Sequence, residues 1–296
     1  MKNQEQIQVK VLADSKTKDG IRLTTLRLIY PRFIHAELKT HRMFSTNSSS
    51  SRAIPVKSMI EYTLENPAKL CHFGRNQPGM QAETELDNET IQAVEAHWHR
   101  GSKLAAEVAE VLNRLGLHKQ GTNRVLEPFQ HMHTIVSATE FENFFNLRRH
   151  KDAQPEIKIL ADKMWEAIEN SVPQILYPGQ WHLPGIVQKA NSTYISPDGA
   201  ELTLEQARMV SASLCAQVSY RKEDYSLEKA EKIFNQLIYS EPMHASPVEH
   251  QATPIPTGYP FTKGVTHMDF KGNYWSGNFR GWIQFRQLLQ QKWDEN

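Results

Sequence analysis

Residues 39 to 57 read KTHRMFSTNSSSSRAIPVK and carry no acidic side chain. His41, Arg42 and Arg52 bracket Ser45, Thr46, Asn47 and the run Ser48 to Ser51. An anion needs donors gathered without competing carboxylates, and backbone N–H groups beside a helix end can add to them. The same composition also describes a solvated serine-rich loop, and composition alone leaves the two readings level.

A second cluster lies in TEFENFFNLRRHKDAQPEI, where Asn143, Arg148, Arg149 and His150 accompany Phe141, Phe144, Phe145 and Leu147. The aromatic run turns this segment toward a core, and an arginine beside a core needs an anionic partner. Glu140, Glu142 and Glu156 are candidates, and the spacing selects none of them. The third cluster is EPMHASPVEHQATP, with His244, Glu249 and His250. It lacks the H-x-x-x-H spacing of a helical metal site, and Pro247 interrupts any helix that would align its ligands. The expectation is a turn offering hydrogen-bonding groups to a ligand, with no metal. Gly-x-Gly-x-x-Gly, Walker, Gly-x-Ser-x-Gly and Cys-x-x-Cys motifs are all missing, so a nucleotide cofactor would be held without the commonest folds for that task.

Behind these clusters stand 296 residues, 39% hydrophobic and 23% charged, enough for a packed core. Net charge is +1, which gives no general reason to expect a nucleic-acid polymer or an anionic membrane as partner. Cys71 and Cys215 are far apart and read as free thiols, and no signal-peptide core or membrane span is visible. The expectation is a cytoplasmic protein.

Several elements must position the clusters. QIQVKVLA and GIRLTTLRLIY alternate and predict a hairpin. Phe33, Ile34, Leu38 and Phe44 share a helical face over 31–44, and IPVKSMIEYTLEN restarts a helix after the serines. Residues 88 to 116 predict a long helix capped by Asn88 and stopped at Gly116, and residues 153 to 172 another. Residues 172–202 read as a crossing loop with one short strand. Thr203 and Gln206 predict a capping box, Ser226 caps a further helix, and RGWIQFRQLLQQKW predicts a terminal one. The sum is one helix-rich α+β domain over 1–296 with a small antiparallel sheet.

Taken together, the clusters resemble the flavin-dependent thymidylate synthases. That family carries Arg-His-Arg, seven residues and Ser, with an Asn before that Ser and an Arg after it; Thr40, His41, Arg42, Asn47, Ser50 and Arg52 stand at those offsets. NFFNLRRHKDAQPEI, Asn143 to Ile157, resembles its Asn-Leu-Arg helix end followed by Ala-Gln-x-Glu-Ile. CAQVSY at 215–220 and HASPVEH at 244–250 resemble its Arg-Val-Ser-Tyr segment and its Ser-Pro-Phe-Glu-His turn. In the family those two segments come first, and here they come last. The chain is therefore expected to be a circularly permuted, phage-like member, with about 172–202 as the new connection.

The resemblance implies FAD as cofactor, methylenetetrahydrofolate as carbon donor, NADPH as reductant and a deoxypyrimidine monophosphate as substrate. It implies substrate contacts at Glu37, Ser50, Ser51, Arg52, Arg124 and Arg148. It makes Arg148 and Ser50 the catalytic residues: Arg148 would stabilise charge on the pyrimidine, while Ser50 would orient the substrate and need not be a covalent nucleophile. Flavin contacts map onto His41, Arg42, Asn47, Asn143, Ser219, His244, Ser246 and Glu249. A homotetramer with sites shared between subunits is implied too, in the host cytoplasm if the chain is phage-encoded. Thr40, Ser48, Ser51, Asp152 and Glu37 depart from the family pattern around the nucleotide. This keeps open a dCMP substrate, a 5-hydroxymethyl product, or a non-catalytic nucleotide-binding relative. The CHFGRNQPGMQAE loop either shapes that pocket or is a surface insertion.

Overall fold

The computed structural model describes residues 6–189, 193–219, 223–256, 258 and 262–294. At its centre is a five-stranded sheet made from β1 (Gln8–Thr17), β2 (Arg22–Pro31), β3 (Ser45–Ser48), β4 (His131–Ala138) and β5 (Gln174–Leu176), in the order β3-β4-β2-β1-β5. The predicted hairpin is β1 and β2, turning at Gly20, whose φ of 88° suits a residue without Cβ. The sheet is mixed: β5 runs parallel to β1 at its edge, so the expected antiparallel sheet needs that correction.

The serine tract is no linker. Ser45 to Ser48 pair with β4 from Ser137 to Thr134, and the Ser49 N–H continues the ladder to the His133 carbonyl at 2.8 Å. Nor is 31–44 one helix. A 3-10 turn at Arg32–Ile34 leads into the five-residue α1 (His35–Lys39), because the chain must bend back to enter β3.

The other helices are α2 (Val56–Glu65), α3 (Asn88–Arg114), α4 (Lys119–Thr122), α5 (Glu142–Arg148), α6 (Pro155–Glu169), α7 (Leu204–Ala216), α8 (Leu227–Leu237) and α9 (Phe285–Asp294). The cap of α3 is Asp87, whose carboxylate accepts the Thr90 N–H at 2.9 Å; Asn88 is already inside the helix. The capping box of Thr203 and Gln206 forms as expected, and Ser226 caps α8. Between 172 and 202 lie β5 and the short β6 (Val187–Gln188) and β7 (Tyr194–Ile195), which form a small sheet with β8 (Glu201–Leu202). Near the C-terminus come β9 (Ala252–Pro254), the three-stranded β10 (His267–Met268), β11 (Tyr274–Ser276) and β12 (Phe279–Arg280), then β13 (Trp282–Gln284), which pairs with β9. The expected terminal helix thus begins only at Phe285.

Alternation in the strands gives the central sheet two unlike faces. One is apolar: Leu26, Leu28, Tyr30 and Val136 bury against Ile157, Leu160, Ala161 and Met164 of α6. The other face carries a buried polar row. Ser15 Oγ, His182, Thr25 Oγ1, Ser137 Oγ and His250 Nδ1 are joined by contacts of 2.9, 2.8, 2.6 and 2.8 Å. Burial pushes both histidines down to about 3, so they are neutral members of that row. The end of α7 and the 3-10 turn after it cover the same face, through Cys215 and Val218 packed on Ile135.

Candidate functional site

Asn47 is the point where distant segments meet. Its Nδ2 donates to the Cys215 carbonyl at 2.6 Å, and its Oδ1 accepts from Ser246 Oγ at 3.5 Å. Three residues further along, the Ser50 N–H donates to Ser219 Oγ at 3.0 Å. The serine tract therefore binds the end of α7 and the Ser-Pro turn, the segments whose order in the chain is unexpected. Tyr220, the last residue of the Val-Ser-Tyr segment, lies outside the described residues.

Beside this junction is a cavity of about 210 Å³. Ser49, Ser51, Tyr62, His131 and Ser219 line it, with Arg32 at its wall. Ser51 Oγ donates to Glu127 Oε1 at 3.1 Å, and the same oxygen receives Arg32 at 2.9 Å and Arg124 at 2.8 Å. Two guanidinium groups on one carboxylate leave a net positive charge beside a row of hydroxyls, a setting that suits a phosphate. Asn123 locks the turn from behind, donating to the carbonyls of Ser51 at 2.7 Å and Ile54 at 3.0 Å.

His131 is neutral in this wall, pushed down to about 4 by burial and then by His133. Its tautomer follows from Gln6, whose Nε2 donates to the Lys69 carbonyl and whose Oε1 accepts the Lys69 N–H. That oxygen can only accept, so His131 Nε2 donates to it at 3.2 Å. Nδ1 is then the acceptor of the Tyr62 hydroxyl at 3.0 Å.

Arg148 gathers a second group. Nη1 donates to Glu37 Oε2 at 3.0 Å, Nε to His41 Nε2 at 3.2 Å and Nη2 to Thr40 Oγ1 at 3.4 Å. These use three of the five guanidinium N–H donors, leaving one on each terminal nitrogen for a ligand. Burial, and then Arg148 itself, lowers the His41 pKa, so this imidazole accepts from the arginine and adds no charge. Phe144 packs edge-on against the ring at 4.9 Å between centroids. Arg148 does not line the cavity.

The remaining residues divide. Arg42, Arg52, Asn143 and His244 are exposed, and neither Arg42 nor Arg52 has an ion pair among the described residues. Glu249 is paired with Arg286, and Arg124 is tied to Glu127. The loop around Gly74 is stapled to itself by a bridge from Gly74 to Glu85 and lies outside the lining of the cavity. Arg32, Glu127, Tyr62 and His131 were not singled out from sequence. The signal for the last was His131-x-His133 in a β-branched run, which places both on one face of a strand. Among the described residues no group of three His, Cys, Asp or Glu side chains could hold a metal, and no helix is long and apolar enough to cross a membrane.

The sequence profile of the family described as thymidylate synthase complementing protein, the flavin-dependent thymidylate synthase family, matches residues 23–174, just over half of the chain. The chain belongs to this family. The matched span holds the serine tract, Arg124 and Arg148 of this flavin-dependent thymidylate synthase relative, and ends before the segments at 215–220 and 244–250. No protein with a curated description matches the chain. Among solved structures it is similar to a UMP/dUMP methylase, PolB from Streptomyces cacaoi, bound with 5-Br UMP: 17% identity, 54% of this chain and 88% of that one, TM-score 0.46. The same protein bound with 5-Br dUMP matches at 17% identity, 54% of this chain and 89% of that one, TM-score 0.45.

Proposed function

We propose that this chain transfers a one-carbon unit from methylenetetrahydrofolate to C5 of a deoxypyrimidine monophosphate, converting dUMP to dTMP with FAD and NADPH. Membership of the family supports the reaction class. The observation that carries the reading is the serine tract bound along β4 beside a cavity walled by Arg32, which shares the Glu127 carboxylate with Arg124. In this reading Ser51, Arg32 and Arg124 receive the substrate phosphate, and Ser50 and Arg52 orient the nucleotide. The whole chain acts as one domain, permuted relative to the family.

Arg148 is the residue assigned to the pyrimidine ring. Glu37, His41 and Thr40 hold its guanidinium in one plane, and its two remaining donors suit a ring oxygen that gains charge as C5 becomes nucleophilic. Arg148 and the cavity are separate groups within one protomer, which fits an oligomer whose sites combine two chains.

The residues assigned to FAD fit a dinucleotide. Arg42, His244 and Asn143 offer cationic, imidazole and amide groups on the surface. Glu249, the carboxylate among them, is neutralised by Arg286 and so does not repel a pyrophosphate. Flavin would supply the hydride chemistry when bound. Asn47, Ser219 and Ser246 would order the surface beneath it.

Incubation with dUMP or dCMP, methylenetetrahydrofolate, FAD and NADPH, followed by mass analysis of the nucleotide, tests the proposal. A gain of one methyl group on dUMP is the expected result. A hydroxymethyl product, or reaction with dCMP alone, would instead favour the reading in which Thr40 and Ser48 have changed the chemistry. Nucleotide binding without turnover would favour the non-catalytic relative.

A further inference from the structure

Helix α3 is apolar on two opposite sides. Ser102, Ala106 and Ala109 bury toward α2 and Leu126. On the far side Leu104, Val108, Val111 and Leu115 are exposed, at 51%, 49%, 44% and 78%. Their spacings of four, three and four residues keep them on one line, the a/d repeat of a helix that meets another helix. An amphipathic helix packed only against its own core would carry polar groups there.

The order along that line is Leu, Val, Val, Leu, the same read in either direction. A twofold axis passing between Ala109 and Glu110 would set Leu104 against Leu115 of a second copy, and Val108 against Val111, each pair occurring twice. The flank is complementary under the same operation. Glu107 and Arg114 each precede a seam residue, so they lie on one side of the line and, in an antiparallel pair, face each other across it. Both are exposed, and neither has an ion pair among the described residues. A patch joined to its own copy must be self-complementary, and this one is so in shape and in charge.

We propose that α3 is a self-association surface, on which a second copy of the chain docks antiparallel through Leu104, Val108, Val111 and Leu115, with Glu107 paired to the partner copy's arginine at 114. The inference rests on the helix alone and is independent of the reaction assigned above.

Sedimentation velocity on the full chain tests it. The wild type is expected to be a dimer or an even multiple, and Val108→Glu to halve its mass. Glu107→Arg and Arg114→Glu, each alone, should raise the dissociation constant at least about tenfold. Combined, the two reverse both ends of the ion pair and should return it close to the wild-type value. These charge changes sit on an exposed face, and circular dichroism melting verifies the fold of each variant. A monomeric wild type, an unchanged mass for folded Val108→Glu, or no recovery in the double variant would each overturn the proposal.

Discussion

Arg148 donates to Glu37 at 3.0 Å, linking the end of α5 to the middle of α1 across 111 residues of chain. Both side chains are partly exposed, so the pair contributes no more than about 1 kcal/mol to stability. Its value lies in aim: the carboxylate, His41 and Thr40 together fix the plane of the guanidinium.

Arg148→Ala should therefore leave the melting temperature nearly unchanged and lower turnover by about 10²- to 10³-fold. Steady-state rates beside a melting curve check this. Unchanged activity would remove Arg148 from the site.

Arg32→Ala should weaken dUMP binding at least about tenfold, because a charge-assisted phosphate contact is lost. Arg124→Ala should cost less, since its guanidinium is the more exposed of the two. Titration calorimetry with dUMP at fixed salt measures both. Equal, wild-type affinities would show that the phosphate binds elsewhere.

Asn47→Ala leaves the Cys215 carbonyl without its 2.6 Å donor and should destabilise the chain by about 1–3 kcal/mol. Urea unfolding gives this number. Because the same amide meets Ser246, the variant should also release the Ser-Pro turn, seen as faster hydrogen exchange around 244–250.

Stability should fall on acidification below the ordinary histidine value. His182 and His250 titrate near 3 in the fold, against 6.5 unperturbed, because burial disfavours their charged forms. The unfolded chain binds their protons first as pH drops, so the stabilisation is complete above 6.5 and is lost progressively toward 3. At pH 5 this amounts to about 2 kcal/mol for each buried histidine. His131 and His35, near 4, add in the same direction. Urea midpoints that stay constant between pH 7 and 5 would contradict the prediction.

Most helices were legible locally. Periodicity outlines α3 and α6, and the Thr203–Gln206 box that marks the start of α7 needs only four residues to form. The motif offsets around His41, Asn47, Ser50 and Arg148 also belong to the sequence alone. Strand β4 was overlooked, although it is the strand that binds the serine tract, and a tract of hydroxyls has no strand signal of its own. Only tertiary structure decided that Ser45 to Ser48 are a strand, because their ladder partners lie on β4, near residue 135. Tertiary structure likewise brought Ser51 and Arg32 to the Glu127 carboxylate, and brought the late segments at 215–219 and 246 back to Asn47 and Ser50. Contacts of that span depend on packing and not on chain order.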